Sequence, residues 1–170
     1  MSTWNIDPAH SEVGFKVKHL MINNVKGQFK KFEGVVESAN DDFKNATITF
    51  KADAGSIDTA SEQRDGHLKS PEFFDVEKFP EIKFTSESFD GEKLKGSLTM
   101  LGVTKPVNLT VEFGGIAKDP WGNTKAGFTL SGKINRKDWG LNWNAALETG
   151  GFLVSEDVNL LAEIQLLKQA

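Results

Sequence analysis

Three histidines and one nearby carboxylate are the residues whose types could do chemistry: His10, His19, His67 and Asp65. Neutral imidazole is the commonest metal ligand and a frequent general base. His10 and His19 are separated by a strand, which would place them about 25–30 Å apart at roughly 3.3 Å per residue. Asp65 and His67, two positions apart on a helix, would point in different directions. We therefore expect no metal site, and we expect the histidines to make structural hydrogen bonds.

A hydrolase triad needs a nucleophile, a base and an orienting group in contact. The serines nearest to a histidine in the sequence, Ser11 and Ser70, lie outside any Gly-x-Ser-x-Gly motif. The chain has no cysteine, which excludes thiol nucleophiles, thiolate metal sites and disulfides. We predict a protein that is not an enzyme and has no cofactor. The alternative, motivated by Asp65, His67 and His10, is an enzyme that acts on a lipid-like substrate through Asp65 and His67.

The 170 residues fit one domain, 1–170, and carry a net charge of −4. A weakly acidic surface argues against nucleic acid as the main partner and against strong attraction to anionic lipid headgroups. No run of residues is long and apolar enough for stable membrane insertion. The start of the chain, MSTWNIDPAHSEVGF, has neither a basic segment nor an apolar one. We expect a cytoplasmic protein; a periplasmic location would require that a leader had been removed.

Strict alternation of apolar and polar residues indicates strands with one dry face and one wet face. Short turn signals such as Asp90-Gly91 separate these strands. Many short antiparallel strands separated by turns suggest a barrel or a sandwich, and we predict an all-β fold with about eight strands in one barrel and a short helical insertion. The alternation recurs in residues 13–18, 46–52, 94–100, 107–113 and 128–134.

Three places break the regular pattern. The parity of apolar residues changes between Phe29 and Phe32, which predicts a bulge or a sharp bend near Lys30-Lys31. Thr59 to Leu68 is the best helix candidate, with Asp58 or Thr59 as its N-cap. The last strand, near Asp157 to Lys168, has leucines on both faces, which indicates a covering helix or partner chain and predicts a homodimer.

Two tryptophans, Trp139 and Trp143, stand four residues apart, so on a short helical turn both would face one side. They could form a plug that closes one end of the barrel. Arg136, just before them, could instead reach inward to an anionic headgroup.

The aromatic residues are almost all purely apolar: 13 Phe and 4 Trp, with no Tyr. They fit either a packed core or an apolar internal cavity. Several glycines share the parity of the inward-facing residues and would remove volume there, which favours a channel. These glycines are Gly27, Gly96, Gly115 and Gly132.

Segments spread over nearly the whole chain resemble the YceI-like family of polyisoprenoid-binding or lipid-binding proteins. They include Trp4-Asn5-Ile6-Asp7-Pro8-Ala9-His10-Ser11, Arg64-Asp65-x-His67-Leu68, Phe73-Phe74-Asp75, Gly102-Val103-Thr104-Lys105-Pro106-Val107 and Arg136-Lys137-Asp138-Trp139-Gly140. The resemblance implies an extended antiparallel, lipocalin-like eight-stranded β-barrel around an elongated apolar cavity. It also implies a long-chain lipid ligand, such as a polyprenyl phosphate, an isoprenoid quinone or a fatty-acid derivative, and dimers occur in the family.

The interpretation we favour is a protein that binds a long-chain isoprenoid or acyl lipid for transport, storage or sequestration. A packed barrel that serves as an interaction protein is a further alternative. The candidate headgroup contacts are His19, His67 and Arg136, and residues 64–80 would form a lid or a gate. The predicted apolar contacts are Phe15, Val17, Phe29, Phe50, Phe84, Leu98, Met100, Val111, Phe113, Phe128 and Leu130.

Overall fold

The computed structural model describes residues 1–20, 22–144 and 154–170. Within these ranges the chain forms eleven β-segments and one α-helix, α1, which covers Glu62–Lys69. The segments are β1 Ser2–Ile6, β2 Glu12–His19, β3 Asn23–Phe29, β4 Phe32–Ser38, β5 Thr47–Asp53, β6 Ile57–Asp58, β7 Glu81–Phe89, β8 Lys93–Met100, β9 Val103–Lys118, β10 Thr124–Asn135 and β11 Val154–Lys168.

The segments join into a closed antiparallel barrel. β1 and β2 are two parts of one bent strand, as are β3 and β4, and as are β5 and β6. Each of the resulting eight strands pairs with its neighbours in sequence, and β11 closes the ring by pairing with β2 and then with β1. The predicted eight-stranded barrel with a short helical insertion is confirmed.

Of the bulge or sharp bend predicted between β3 and β4, the structure has a bend at Lys30 and Lys31. The amides of Lys30 and Lys31 donate to the backbone carbonyl of Ser56 at 3.2 Å and to its Oγ at 3.0 Å. The carbonyl of Lys31 accepts from the amide of Asp53 at 2.9 Å. These bonds satisfy the backbone where the ladder is interrupted, so Phe29 and Phe32 both join the core.

The helical insertion lies between β6 and β7, but its predicted N-cap was wrong. Ser61 caps α1, and its Oγ accepts from the amide of Arg64 at 3.3 Å. Asp58 instead accepts from the amide of Ala60, whose φ is +63°. The hydroxyl of Thr59 donates to Asp65 at 2.6 Å. A tight turn therefore delays the start of the helix until Glu62.

Phe43 closes one end of the barrel. It lies in the connection between β4 and β5, is fully buried and has a φ of +61°, which is rare for a bulky side chain. Its ring centroid lies 5.1 Å from that of Trp4, 5.6 Å from that of Phe113 and 5.0 Å from that of Phe128. This closed end also holds the turns that join β7 to β8 and β9 to β10.

The opposite end, called the mouth below, is formed by α1, the β2–β3 and β8–β9 turns, and a 3-10 helix at Arg136–Trp139. The prediction that Trp139 and Trp143 face one side was wrong, because the 3-10 helix ends at Gly140, where φ is +89°. Trp139 is buried and donates from Nε1 to the carbonyl of Leu98 at 2.9 Å. Trp143 alone of the two faces the interior at the mouth.

Replacing Phe43 by alanine should destabilise the barrel by about 3–5 kcal/mol, because a fully buried ring is lost and alanine keeps the unfavourable positive φ. Urea unfolding monitored by tryptophan fluorescence measures this change. Phe113→Ala is the matched control: its ring belongs to the same cluster but is 38% exposed, so its loss should be smaller. Equal losses for the two variants would contradict the role of Phe43 as the closing residue.

Candidate lipid-type cavity

A cavity of about 430 Å³ runs inside the barrel. This volume lies in the usual range of small-molecule sites, roughly 300–1,000 Å³. Aliphatic and aromatic side chains from ten of the described β-segments line its walls. Its arginine and histidine side chains all lie at the mouth: His19, Arg64, His67 and Arg136. The site is therefore an apolar tube with one cationic end.

Nearly all the predicted apolar contacts line this cavity. The exception is Phe113, which stacks on Phe128 with ring centroids 4.9 Å apart at the closed end. Their part in ligand binding stays a prediction. The residues that line the cavity as expected are Phe15, Val17, Phe29, Phe50, Phe84, Leu98, Met100, Val111, Phe128 and Leu130.

The inward-facing glycines have a more specific role than leaving empty volume. A Cβ added at Gly27 would overlap the ring of Phe15, and one at Gly96 would overlap the ring of Phe84. Each ring thus lies flat across a glycine on the neighbouring strand, as in aromatic rescue of glycine. Because these large side chains lie along the wall, the lumen stays open. Gly115 differs: its φ is +110°, next to the irregular β9–β10 register at Gly127.

Arg136 is the buried cation of the mouth, with 3% of its surface exposed. Its guanidinium donates to the carbonyls of Ser155 at 2.8 Å, Trp143 at 2.9 Å and Val154 at 3.4 Å, and also to that of Leu141. Arg136 forms no ion pair within 4.0 Å with any carboxylate of the described residues; the neighbouring Glu156 pairs with Lys137 instead. Burial lowers the pKa of Arg136 from its ordinary value, and the charge of Glu156 partly opposes this. Arginine still keeps its charge at neutral pH, so carbonyl dipoles hold a buried positive charge here.

His67 connects α1 to this arginine. Its Nε2 lies 2.6 Å from Oε2 of Glu72, and its ring meets Phe73 and Trp143 edge-on at 5.0 and 4.9 Å. Trp143 in turn accepts from Arg136 through its carbonyl. His19 pairs in the ladder with Val154, whose carbonyl also accepts from Arg136. The three predicted headgroup residues are therefore neighbours at one mouth.

Phe73 and Phe74 cover the interior from the segment that follows α1. Both are about nine-tenths buried, and both line the cavity. The ring of Phe74 meets that of Phe29 edge-on at 6.0 Å. These contacts place the segment over the mouth, where it serves as an apolar cover.

The residues of the enzymatic alternative are not brought together. Oδ1 of Asp65 accepts from the amide and the hydroxyl of Thr59 at 2.8 and 2.6 Å, whereas His67 pairs with Glu72. His10 lies 2.8 Å from Asp7, on the link between β1 and β2. The hydroxyl of Ser70 donates to the backbone carbonyl of His67. Among the described residues, no group of three His, Asp or Glu side chains could hold a metal ion.

Arg64 also lies at the mouth, although we did not predict it as a headgroup contact. Its Nε and Nη2 donate to Oγ1 and to the carbonyl of Thr59, at 2.7 and 2.6 Å. The chain has 20 Lys and Arg residues, of which only Arg64 and Arg136 are arginines. Both line the cavity at the mouth. The scarcity of arginine was therefore a usable signal.

The sequence matches the YceI-like domain over residues 4–166. The chain belongs to the YceI-like family. The UPF0312 protein SAS2572 of Staphylococcus aureus is 40% identical over 166 residues, which are 97% of either chain. The family resemblance inferred from the sequence is confirmed.

Solved structures place this YceI-like barrel among similar folds. The Campylobacter jejuni YceI protein has 35% identity and a TM-score of 0.75, with 96% of each chain covered. A polyisoprenoid binding domain from Saccharophagus degradans has a TM-score of 0.73 over 98% of each chain, at 13% identity. At that identity the likeness shows the fold. None of the described helices has the length and hydropathy to span a bilayer.

Replacing Gly96 by alanine should push the ring of Phe84 off the wall and towards the lumen. We expect a loss of about 1–3 kcal/mol from overpacking, measured by urea unfolding, and a smaller cavity in a crystal structure of the variant. Gly66→Ala is the control, because a Cβ there meets no atom within 4 Å. That change should stabilise α1 by about 1 kcal/mol. A Gly96→Ala variant as stable as the wild type would refute this account of the wall.

Proposed function

We propose that this YceI-like protein binds a long-chain isoprenoid or acyl lipid inside its barrel and serves in the transport, storage or sequestration of that lipid. Candidate ligands are a polyprenyl phosphate, an isoprenoid quinone or a fatty-acid derivative. The observation that carries the proposal is the cavity of about 430 Å³, whose walls are aliphatic and aromatic.

The energetics favour a long apolar ligand. Each buried methylene contributes roughly 0.8 kcal/mol, so a dozen contribute about 10 kcal/mol. Association costs about 4–15 kcal/mol, so a short apolar chain would not offset it, whereas a chain of a dozen or more methylenes can. Apolar walls discriminate weakly between chains that differ by one methylene, about 1–3 kcal/mol, so we expect several related lipids to bind.

The direction in which the lipid enters follows from the two ends of the barrel. Phe43 fills the closed end with an apolar ring cluster. The mouth offers the buried charge of Arg136, with His19, His67 and Arg64 beside the opening. A polar headgroup would therefore stay at the mouth, and a negative one would be stabilised there by Arg136. The polyisoprenoid-binding description of the Saccharophagus degradans domain supports an isoprenoid tail.

Purified wild-type protein should retain lipid, which native mass spectrometry followed by organic extraction measures. Leu130→Trp adds a ring within the lumen and should abolish retention and the saturable uptake of a fluorescent fatty acid. Ala162→Phe, which also adds a ring to the lining, should have the same effect. Val35→Trp is the matched control, since Val35 is 38% exposed on the outer face of β4, and it should leave uptake unchanged.

Circular dichroism should first establish that each variant is folded. A folded wild-type protein that retains no lipid and takes up no prenyl or acyl probe would refute the proposed function. It would instead favour the packed barrel that serves as an interaction protein.

The headgroup part of the proposal concerns the charge of Arg136. The wild type should bind a fatty acid more tightly than the alcohol with the same chain, because only the acid carries a negative charge. Arg136→Gln should reduce this preference by about 10- to 100-fold, since a charged interaction contributes roughly 1.5–3 kcal/mol. Arg136→Lys keeps the charge and should keep most of the preference. Competition against a fluorescent fatty acid measures both ligands, and an unchanged preference in a folded Arg136→Gln variant would exclude this role.

A further inference from the structure

The hairpin of β2 and β3 has an unusual charge. Residues 13–32, which run from β2 to the first residue of β4, contain five lysines and no Asp or Glu. The one acidic residue of β2 and β3 is Glu12, at the end of β2 remote from the β2–β3 turn. The rest of the chain contains 15 basic and 24 acidic residues, so the net charge of −4 hides a basic segment on a strongly acidic protein. The five lysines are Lys16, Lys18, Lys26, Lys30 and Lys31.

Four of these lysines are without an ion-pair partner among the described residues, and only Lys30 is paired, with Asp58. Lys16, Lys18 and Lys26 lie on β2 and β3 themselves, whereas Lys31 lies in the bend that follows β3. Lys16 and Lys26 stand directly opposite each other in the β2–β3 ladder. Like charges in that arrangement are destabilising, so packing does not explain their choice. The alternate residues, including Phe15 and Val17, face the cavity, which places the lysines on the outer face.

The tip of the same hairpin is apolar and exposed. Leu20 is 39% exposed and Ile22 is 82% exposed, in a turn where Leu20 has a φ of +55°. Such residues are ordinary one at a time. Here Leu20 and Ile22 are exposed together at the end of a hairpin whose outer face carries lysines. Apolar and cationic groups adjoin in the same way in amphipathic segments that lie at a membrane interface.

The β2–β3 turn lies at the mouth of the barrel. His19, the last residue of β2, lines the cavity at the mouth. The basic face and the apolar tip therefore lie at the same end of the barrel as the opening.

We propose that the β2–β3 hairpin docks on the surface of an anionic lipid bilayer, with Lys16, Lys18 and Lys26 near the headgroups and Leu20 and Ile22 at the acyl boundary. Charge complementarity selects this occupant: an anionic surface attracts the hairpin and repels the acidic remainder of the chain. Docking thus turns the mouth towards the membrane. From the net charge of −4 we expected no strong attraction to anionic lipids. The net charge does not show that the lysines are concentrated in one segment of the chain.

Co-sedimentation with vesicles tests the lysines. The wild-type protein should bind vesicles of phosphatidylcholine and phosphatidylglycerol in equal parts, and bind phosphatidylcholine vesicles far less. The K16Q/K18Q/K26Q variant should lose about 100-fold in partition coefficient, since each lysine near an anionic surface contributes roughly five-fold. The K44Q/K95Q/K118Q variant has the same net charge, replaces exposed lysines elsewhere and should bind as the wild type does.

A second pair of variants, one at the apolar tip and one control elsewhere, tests the role of the tip. Ile22→Ser should weaken vesicle binding by about five-fold, because one partly inserted aliphatic side chain is lost. Trp121→Ser removes a side chain that is 84% exposed at the closed end and should leave binding unchanged.

Equal vesicle binding by the two triple-lysine variants would overturn docking through the hairpin. Equal binding of the wild type to neutral and anionic vesicles would do so too. The test is separable from that of the lipid-binding function. A protein that binds vesicles but retains no lipid refutes only the latter, and one that retains lipid but ignores vesicles refutes only docking.

Discussion

The closure of the barrel depends on one short stretch where β11 changes partner. β11 pairs with β2 up to Glu163 and with β1 from Leu166. Between them, the carbonyl of Gln165 accepts from the amide of Asp7 at 2.8 Å, and its amide donates to Oγ of Ser11 at 2.9 Å. These bonds carry the ladder across the link between β1 and β2. Without the pairing of β11 to β1 and β2 the sheet would have a free edge, with its unpaired backbone groups exposed.

The carboxylate of Asp7 strengthens that junction. It accepts from Nζ of Lys125 on β10 at 3.1 Å and lies 2.8 Å from Nδ1 of His10. Burial alone would raise the pKa of Asp7, but the hydrogen bonds from His10, Lys125 and the amide of Ala9 lower it below its usual value. The ionised form therefore stabilises the fold above the ordinary pKa of an aspartate, and this contribution is lost as the pH falls through the lowered value. The contact between His10 and Asp7 is thus part of the closure of the barrel.

Local periodicity was enough to predict an all-β barrel or sandwich and nearly all of the residues that face the lumen. The parity change between Phe29 and Phe32 also located the bend between β3 and β4, because a one-residue slip moves side chains to the other face. Parity failed for Phe113 because the rule gives the face of a strand and not its depth in the tube. Phe113 belongs to the exposed end of β9, beside Phe128.

The features that sequence could not supply are long-range ones. Phe43 stands in a polar turn, Asn40-Asp41-Asp42, and nothing local indicates that it fills the end of the barrel. Four backbone carbonyls surround Arg136, and backbone partners leave no trace in residue types. Sequence identified Arg136 as a cation near two tryptophans. Only the fold shows that it is buried without a described carboxylate partner.

The two kinds of cation at the mouth differ in a way that matches their positions. A guanidinium is weakly hydrated and spreads its charge over a planar group, so it tolerates the burial seen at Arg136. An ammonium is strongly hydrated, and the exposed Lys18 and Lys26 keep theirs in water. In the proposed docking, the lysines act on the many headgroups of a surface without dehydration. Arg136, fixed by its carbonyls, would act on the one headgroup that enters the mouth in the proposed function. Under the two proposals, the order of the two cation types along the barrel axis would separate attraction to a membrane from selection of a single lipid.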